Sequence, residues 1–132
     1  MTTPTNISHW TPRVLSVLRI ITGLLFFAHG SAKLLGFPAV ARVPEAFTLP
    51  WTAGVIELIA GPLLVLGLFT RQTAFLASGL AAFAYFIGHA PRGFFPLING
   101  GESAILFCFV LFYFVFAGPG PWSLDARREK AV

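Results

Sequence analysis

Charge is scarce in this chain. Of its 132 residues only 11% are Asp, Glu, Lys or Arg, against about a quarter in an average soluble protein. The hydrophobic share is 56% and the mean hydropathy is +0.79. A water-soluble domain of this length has too little interior to hide so much Phe, Leu and Ala, so a soluble fold is excluded. Cysteine is almost absent. The single thiol, Cys108, sits inside an apolar run, which rules out an internal disulfide and CxxC dithiol chemistry within this chain. There is no dinucleotide-binding glycine fingerprint and no Fe–S cysteine pattern. His and Glu show no tight ligand spacing such as HxxxH or ExxH, so no metal is expected. Internal repeats and low-complexity segments are missing too. The net charge of +4 is no nucleic-acid signal, because the basic residues stand singly at the ends of apolar runs, apart from Arg127, Arg128 and Lys130. Such placement marks membrane orientation and attraction to anionic lipid.

What is present is a set of four apolar runs. They are expected to form helices at about 13–35, 51–69, 73–89 and 101–117, each near the ~20 residues that cross the hydrocarbon core. The last two are at the short end, which local thinning can accommodate. The first run is too long for a signal peptide and carries Arg19, so it reads as a retained anchor. Residues 1–12 form a loose polar tail in which Trp10 suits the headgroup zone. Residues 118–132 form a second tail, opened by Gly118-Pro119-Gly120-Pro121, in which Ser123 is placed to cap a short interfacial helix. A kink is expected near Gly61-Pro62. The turn at 70–72 is short enough to make the second and third runs an antiparallel hairpin. The fold class is therefore all-α, a four-transmembrane-helix antiparallel bundle. Arg13, Arg71, Arg127, Arg128 and Lys130 fall on one side, and Arg42 and Arg92 on the other. By the positive-inside rule both termini are cytoplasmic, the loops 36–50 and 90–100 face outward, and the protein is multi-pass in the inner membrane.

The anomaly is Glu57, a carboxylate about two turns inside the second run. A charge near the bilayer centre costs about 2.5–3.5 kcal/mol on insertion scales, so it normally has a partner and a task. At about 100° per residue, Thr22, Phe26, His29 and Lys33 all fall within about 80° of Arg19 on one arc of the first helix, with Gly23 and Gly30 beside them. Gly54, Glu57 and Gly61 share a narrow face of the second helix, where small residues admit a neighbouring backbone. Ser78, Ala82, Tyr85 and His89 share a stripe on the third helix, and Glu102, Leu106, Phe109 and Tyr113 one on the fourth.

Depth agrees with face. Glu57 and His29 each lie about six residues, or ~9 Å, below the outer surface. Lys33, His89, Asn99 and Glu102 lie within a turn or so of it, and Arg19 alone lies toward the cytoplasmic side. Glu57 and His29 are therefore the candidates for proton exchange, with Lys33, Tyr85, His89, Asn99, Glu102 and Arg19 as candidate ligand-binding residues. Each has a plainer reading. Asn99 and Glu102 can form a capping box, Lys33 can snorkel, Arg19 can anchor to a helix end, and His89 can serve a helix dipole. Tyr85 and the Phe stripe can be packing, and Glu57 with His29, Arg or Lys can be a structural ion pair. Bis-His haem is disfavoured because His89 lies well above His29.

The chain resembles the DoxX family of small four-helix membrane proteins. The resemblance rests on the run Leu18-Arg19-Ile20 through His29-Gly30-Ser31-Ala32-Lys33-Leu34; on Glu57-Leu58-Ile59-Ala60-Gly61 through Gly67-Leu68-Phe69-Thr70-Arg71; on His89-Ala90-Pro91, Phe94-Phe95-Pro96 and Asn99-Gly100-Gly101-Glu102; and on the closing Gly118-Pro119-Gly120-Pro121-Trp122-Ser123-Leu124-Asp125. It implies a membrane subunit of a quinone-linked oxidoreductase with quinone as cofactor, although relatives' thiosulfate chemistry is not carried over. The electron donor would then be a soluble or membrane redox partner. Two other classes stay open. One is a small-solute or proton-coupled transporter, for which four short helices are few unless the protein forms a homo-oligomer. The other is a non-catalytic membrane scaffold for a redox partner. Membrane lipid is the remaining expected partner.

Overall fold

The structure is a computed structural model that describes residues 7–40 and 42–131. Residues 1–6 of the expected N-terminal tail lie outside it. All regular structure among the described residues is helical. A short 3-10 turn, Ser8–Trp10, leads into α1 (Thr11–Leu35). Next come α2 (Leu49–Leu66) and α3 (Thr70–Ala84), the latter prolonged by a π turn (Tyr85–His89) and a 3-10 turn (Ala90–Arg92). The one-turn α4 (Pro96–Asn99), α5 (Glu102–Ala117) and α6 (Leu124–Lys130) complete the chain.

Three of these stretches, Ser8–Leu35, Leu49–Leu66 and Thr70–Arg92, are long and apolar enough to cross a membrane; α5 is apolar but has 16 residues. Their outward faces carry bare Leu and Phe, for example Leu25, Phe75, Leu76, Phe86 and Phe109. Water would not tolerate that surface, whereas hydrocarbon does.

Several expected boundaries move. The second run ends as a helix at Leu66 rather than at 69, because Gly67 takes the left-handed conformation (φ 66) and closes it. The third begins at Thr70, and α2 continues through Pro62. The segment expected as a loop at 90–100 instead contains α4 and the 3-10 turn. The tail helix does form, and Ser123 caps it by accepting the Ala126 N–H at 3.1 Å.

The bundle is built from two intimate pairs, α1 with α2 and α3 with α5, while α1 meets α5 at few points. Glycine explains the first pair. A Cβ built on Gly23 would lie 2.8 Å from the Val65 nitrogen, and one on Gly61 would lie 2.7 Å from the Phe27 nitrogen. Backbones that close leave no room for a side chain, which is how membrane helices associate without a hydrophobic driving force. Between the pairs lies an apolar core of Phe26, Ala60, Leu64, Ala74, Ala77, Leu111 and Phe114.

The start of α1, the α2–α3 turn and the C-terminal segment meet at one end. Asp125 accepts the Phe69 and Thr70 N–H groups at 2.9 and 2.8 Å, and its own N–H reaches the Gly67 carbonyl at 2.9 Å. Arg71 donates to the last carbonyls of α5, on Val115 and Phe116, at 2.6 and 2.7 Å. The open C-terminus of a helix supplies such unsatisfied carbonyls.

Candidate functional site

The opposite end of the bundle holds a small polar pocket of about 80 Å3 where all four long helices converge. His29 and Lys33 reach it from the last turns of α1 and Glu57 from α2; His89 comes from the π turn and Ser103 from the first turn of α5. Phe26, Phe107 and three alanines make the apolar walls. Phe107 is met nearly edge-on by His29 at 5.5 Å and by Phe26 at 5.6 Å, ring centre to ring centre.

Glu57 is paired, but not with the residue its depth suggests. Lys33 Nζ donates to both carboxylate oxygens, at 2.7 and 2.8 Å. The Glu57 side chain is 8% exposed and that of Lys33 26%. This corrects the expectation of a His29 partner and the reading of Lys33 as a snorkelling bystander. Side chains on a helix lean toward its N-terminus, and Lys33 stands one turn C-terminal to His29. Its long stem therefore returns to the level of Glu57.

The rest of the candidate set divides cleanly. His89 lines the pocket, with Nδ1 3.2 Å from the Asn99 carbonyl oxygen. Asn99 and Tyr85 stand behind it. The Asn99 side chain, 2% exposed, donates to the Gly93 carbonyl at 2.9 Å and to the Tyr85 hydroxyl at 3.4 Å, and accepts the Gly101 N–H at 2.8 Å. It holds the segment 93–101 together as the last residue of α4, and does not cap α5. The expected capping box is thus absent: Gly101 occupies the cap position and Glu102 is the first helical residue.

Glu102 is exposed and outside the pocket. The stripe to which it belongs, through Leu106, Phe109 and Tyr113, faces outward, and the inward face of α5 is Ala104, Phe107, Leu111 and Phe114. Ser103 was not singled out from the sequence. A hydroxyl in the first turn of an otherwise apolar helix was its one available signal.

Arg19 also leaves the set. It is fully buried at the far end of α1, where Nε donates to the Pro119 carbonyl at 2.7 Å. Nη1 reaches the carbonyls of Leu64 and Val65, the latter at 2.7 Å, and Nη2 that of Trp122. Its planar fork spends its donors on the C-terminus of α2 and on the tail, a structural clamp.

The pocket therefore combines an ion pair, two imidazoles and a hydroxyl inside apolar walls. Such a set can donate hydrogen bonds to a carbonyl and exchange protons with it. No group of three or more His, Cys, Asp or Glu residues placed to hold a metal occurs among the described residues.

These features define a helical membrane protein with a small pocket between its helices, in which Glu57 is buried, Lys33 and His89 are half-buried, and His29 and Ser103 are exposed. The family model described as DoxX matches residues 14–90; the chain belongs to the DoxX family. It is similar to an uncharacterized protein of Haemophilus influenzae, 44% identical across 95% of this chain and 98% of the other. It is also similar to an uncharacterized membrane protein of Mycobacterium tuberculosis, 29% identical across 86% of this chain and 80% of the other. A shorter match, 39% identical over 59 residues, covers 42% of this chain and 44% of a Bacillus subtilis protein named "Putative oxidoreductase CatD". No solved structure matches the chain.

Proposed function

We propose that this protein is a four-span inner-membrane protein with both termini in the cytoplasm, and that it is the quinone-reactive subunit of an oxidoreductase. The observation that carries the reading is the convergence of Glu57, Lys33, His29 and His89 from three separate helical segments on one pocket. A buried carboxylate with an ammonium and two imidazoles gathered around it is expensive to hold among apolar helices, and such groups usually serve a substrate or proton path. The name of the partial relative CatD supports redox chemistry in the same family.

Quinone is the substrate in this reading. Its reduction to quinol consumes two electrons and two protons. A redox partner supplies the electrons, and the pocket residues supply the protons. Lys33 and His29 donate hydrogen bonds to a ring carbonyl, Glu57 holds Lys33 in place and exchanges protons with His29, and His89 is the second imidazole. The cavity, about 80 Å3, admits the carbonyl edge of a ring while the rest lies at its mouth. The test is quinone reduction by the protein with its redox partner. Glu57→Gln should lower turnover by about 10²-fold or more, the range of a lost general acid or base, with the helical content unchanged. Normal turnover in that variant would remove Glu57 from the chemistry.

The cavity size favours one other reading. Pockets for organic ligands run to about 300–1,000 Å3, so a small solute or a proton is the better geometric match, and the protein would then be a carrier. Uptake into proteoliposomes of the purified protein, with no redox partner, would establish it. If both assays are silent and a redox protein still co-purifies with the Glu57→Gln variant, the chain is a scaffold and the pair is structural.

A further inference from the structure

At the end of the bundle that holds the α2–α3 turn and the C-terminal segment, the sparse meeting of α1 and α5 leaves an apolar groove of about 650 Å3. Trp10, Val14 and Leu18 form one wall, and Tyr113 and Ala117 the other. The walls are bare: Trp10 is 52% exposed, Val14 59% and Tyr113 53%. We propose that this groove binds one anionic phospholipid, with an acyl chain between α1 and α5 and the phosphate at Arg13.

Shape and polarity select the chain. From Trp10 to Leu18 the groove follows α1 for about 12 Å, and the α1 side chains that line it over that length are apolar except Thr11. A polar solute would find almost nothing to hydrogen-bond there, whereas methylene groups match it.

Charge selects the head. Arg13 does not itself line the groove, but its guanidinium lies 5.1 Å from the centre of the ring of Trp10, which does. That geometry places a cation beside an aromatic suited to the headgroup level. Among the described residues Arg13 has no carboxylate partner. Of the other charges at this end, Arg71 is bound to the Val115 and Phe116 carbonyls, Asp125 to the Phe69 and Thr70 N–H groups, and Arg128 lies over Phe69; Arg127, Glu129 and Lys130 are on α6, outside the groove's lining. Arg13 is the cation that sits on a wall residue of the groove, Trp10, and a lipid of net negative charge complements it better than a zwitterionic one. This site is independent of the polar pocket at the other end.

The test is native mass spectrometry of the delipidated full-length protein, titrated with phosphatidylglycerol and with phosphatidylcholine of the same acyl chains. Wild type should bind phosphatidylglycerol about fivefold more tightly, as one basic residue near an anionic head implies. Arg13→Gln should erase that preference, and Arg13→Lys should keep most of it. Leu18→Trp, which fills the groove, should weaken both lipids. Quenching of the Trp10 fluorescence in Trp51→Phe/Trp122→Phe by bromine-labelled phosphatidylglycerol, competed by the unlabelled lipid, reads the same site with Arg13 and the groove intact. Equal affinity of wild type for the two lipids would overturn the proposal. So would a preference that survives in Arg13→Gln, or one that disappears instead in Arg127→Gln/Arg128→Gln, which would indicate diffuse attraction to the C-terminal helix.

Discussion

Replacing Lys33 by Met should destabilise the bundle more than replacing Glu57 by Gln, and the difference follows from the geometry of the pair. At 2.7–2.8 Å the gross attraction is about 4–6 kcal/mol for an effective dielectric constant near 20. Desolvation of both charges offsets much of it, so the quantity to estimate is the cost of leaving one partner behind. Lys33→Met leaves a carboxylate in a side chain only 8% exposed, for which about 3–5 kcal/mol is expected. Glu57→Gln leaves an ammonium on a stem that is 26% exposed and can swing toward the headgroups, so about 1–2 kcal/mol is expected. The double variant Lys33→Met/Glu57→Gln strands no charge and should cost about as much as Glu57→Gln alone. The coupling then equals the cost of Lys33→Met alone, about 3–5 kcal/mol, at or above the top of the range for directly contacting residues. Unfolding in mixed micelles, followed by circular dichroism as denaturing detergent is added, measures all four corners of the cycle. Additivity of the two single changes within about 0.5 kcal/mol, or a larger loss from Glu57→Gln than from Lys33→Met, would refute this account of the pair.

Other expectations concern the opposite end and the helix contacts. Arg19→Met strands the Val65, Pro119 and Trp122 carbonyls, while that of Leu64 keeps the Gly67 N–H, and should cost about 3–5 kcal/mol; Arg19→Lys should recover less than half, because a point charge cannot replace a fork, and limited proteolysis should then cut near Pro119–Trp122 in Arg19→Met while sparing the wild type. Burial pushes the Asp125 carboxyl up, but the Thr70 and Phe69 N–H donors, with Arg128 nearby, outweigh it and hold it below the ordinary carboxylate value of 3.8. A lowered folded-state pKa means that its contribution is complete above about pH 4 and is lost as pH falls through the folded-state value. The melting-temperature gap between wild type and Asp125→Asn should therefore be constant from pH 5 to 7 and should shrink below pH 4. Gly61→Val would drive a branched side chain into the Phe27 backbone and should cost at least about 2 kcal/mol, whereas Gly79→Ala, inside α3 with nothing within 4 Å of its new Cβ, should raise the unfolding midpoint by adding up to about 1 kcal/mol of stability.

The helical membrane character and the polar faces of α1 and α2 were legible because their marks are strong. The ionisable residues well inside α1, namely Arg19, His29 and Lys33, fall on one arc, and glycines flank Glu57 at a spacing that admits a neighbouring backbone. The pairing inside the site was harder to read, because matching depth by backbone position ignores the lean of a side chain, and four methylenes carry the Lys33 ammonium to the Glu57 carboxylate. The face of α5 was illegible for a different reason. Its sequence is so uniformly aromatic and aliphatic that periodicity could group Glu102, Leu106, Phe109 and Tyr113 without saying which way they point. Asn99 misled because a capping residue and a segment-closing residue look alike when a short helix such as α4 is not anticipated. Arg19 was readable in part: an arginine inside a span requires several acceptors, and a helix C-terminus at Gly67 provides them.

The central claim is that a quinone head group enters the pocket formed by Glu57, Lys33, His29 and His89. Photolabelling of the membrane-embedded protein with an azido-quinone, followed by peptide mapping, tests it most directly. The expected result is labelling confined to peptides containing Phe26–Lys33 and Ser103–Phe107, competed by unlabelled short-chain quinone and lost in Glu57→Gln. Labelling that is spread along the lipid-facing residues, or that excess quinone does not compete, would contradict it.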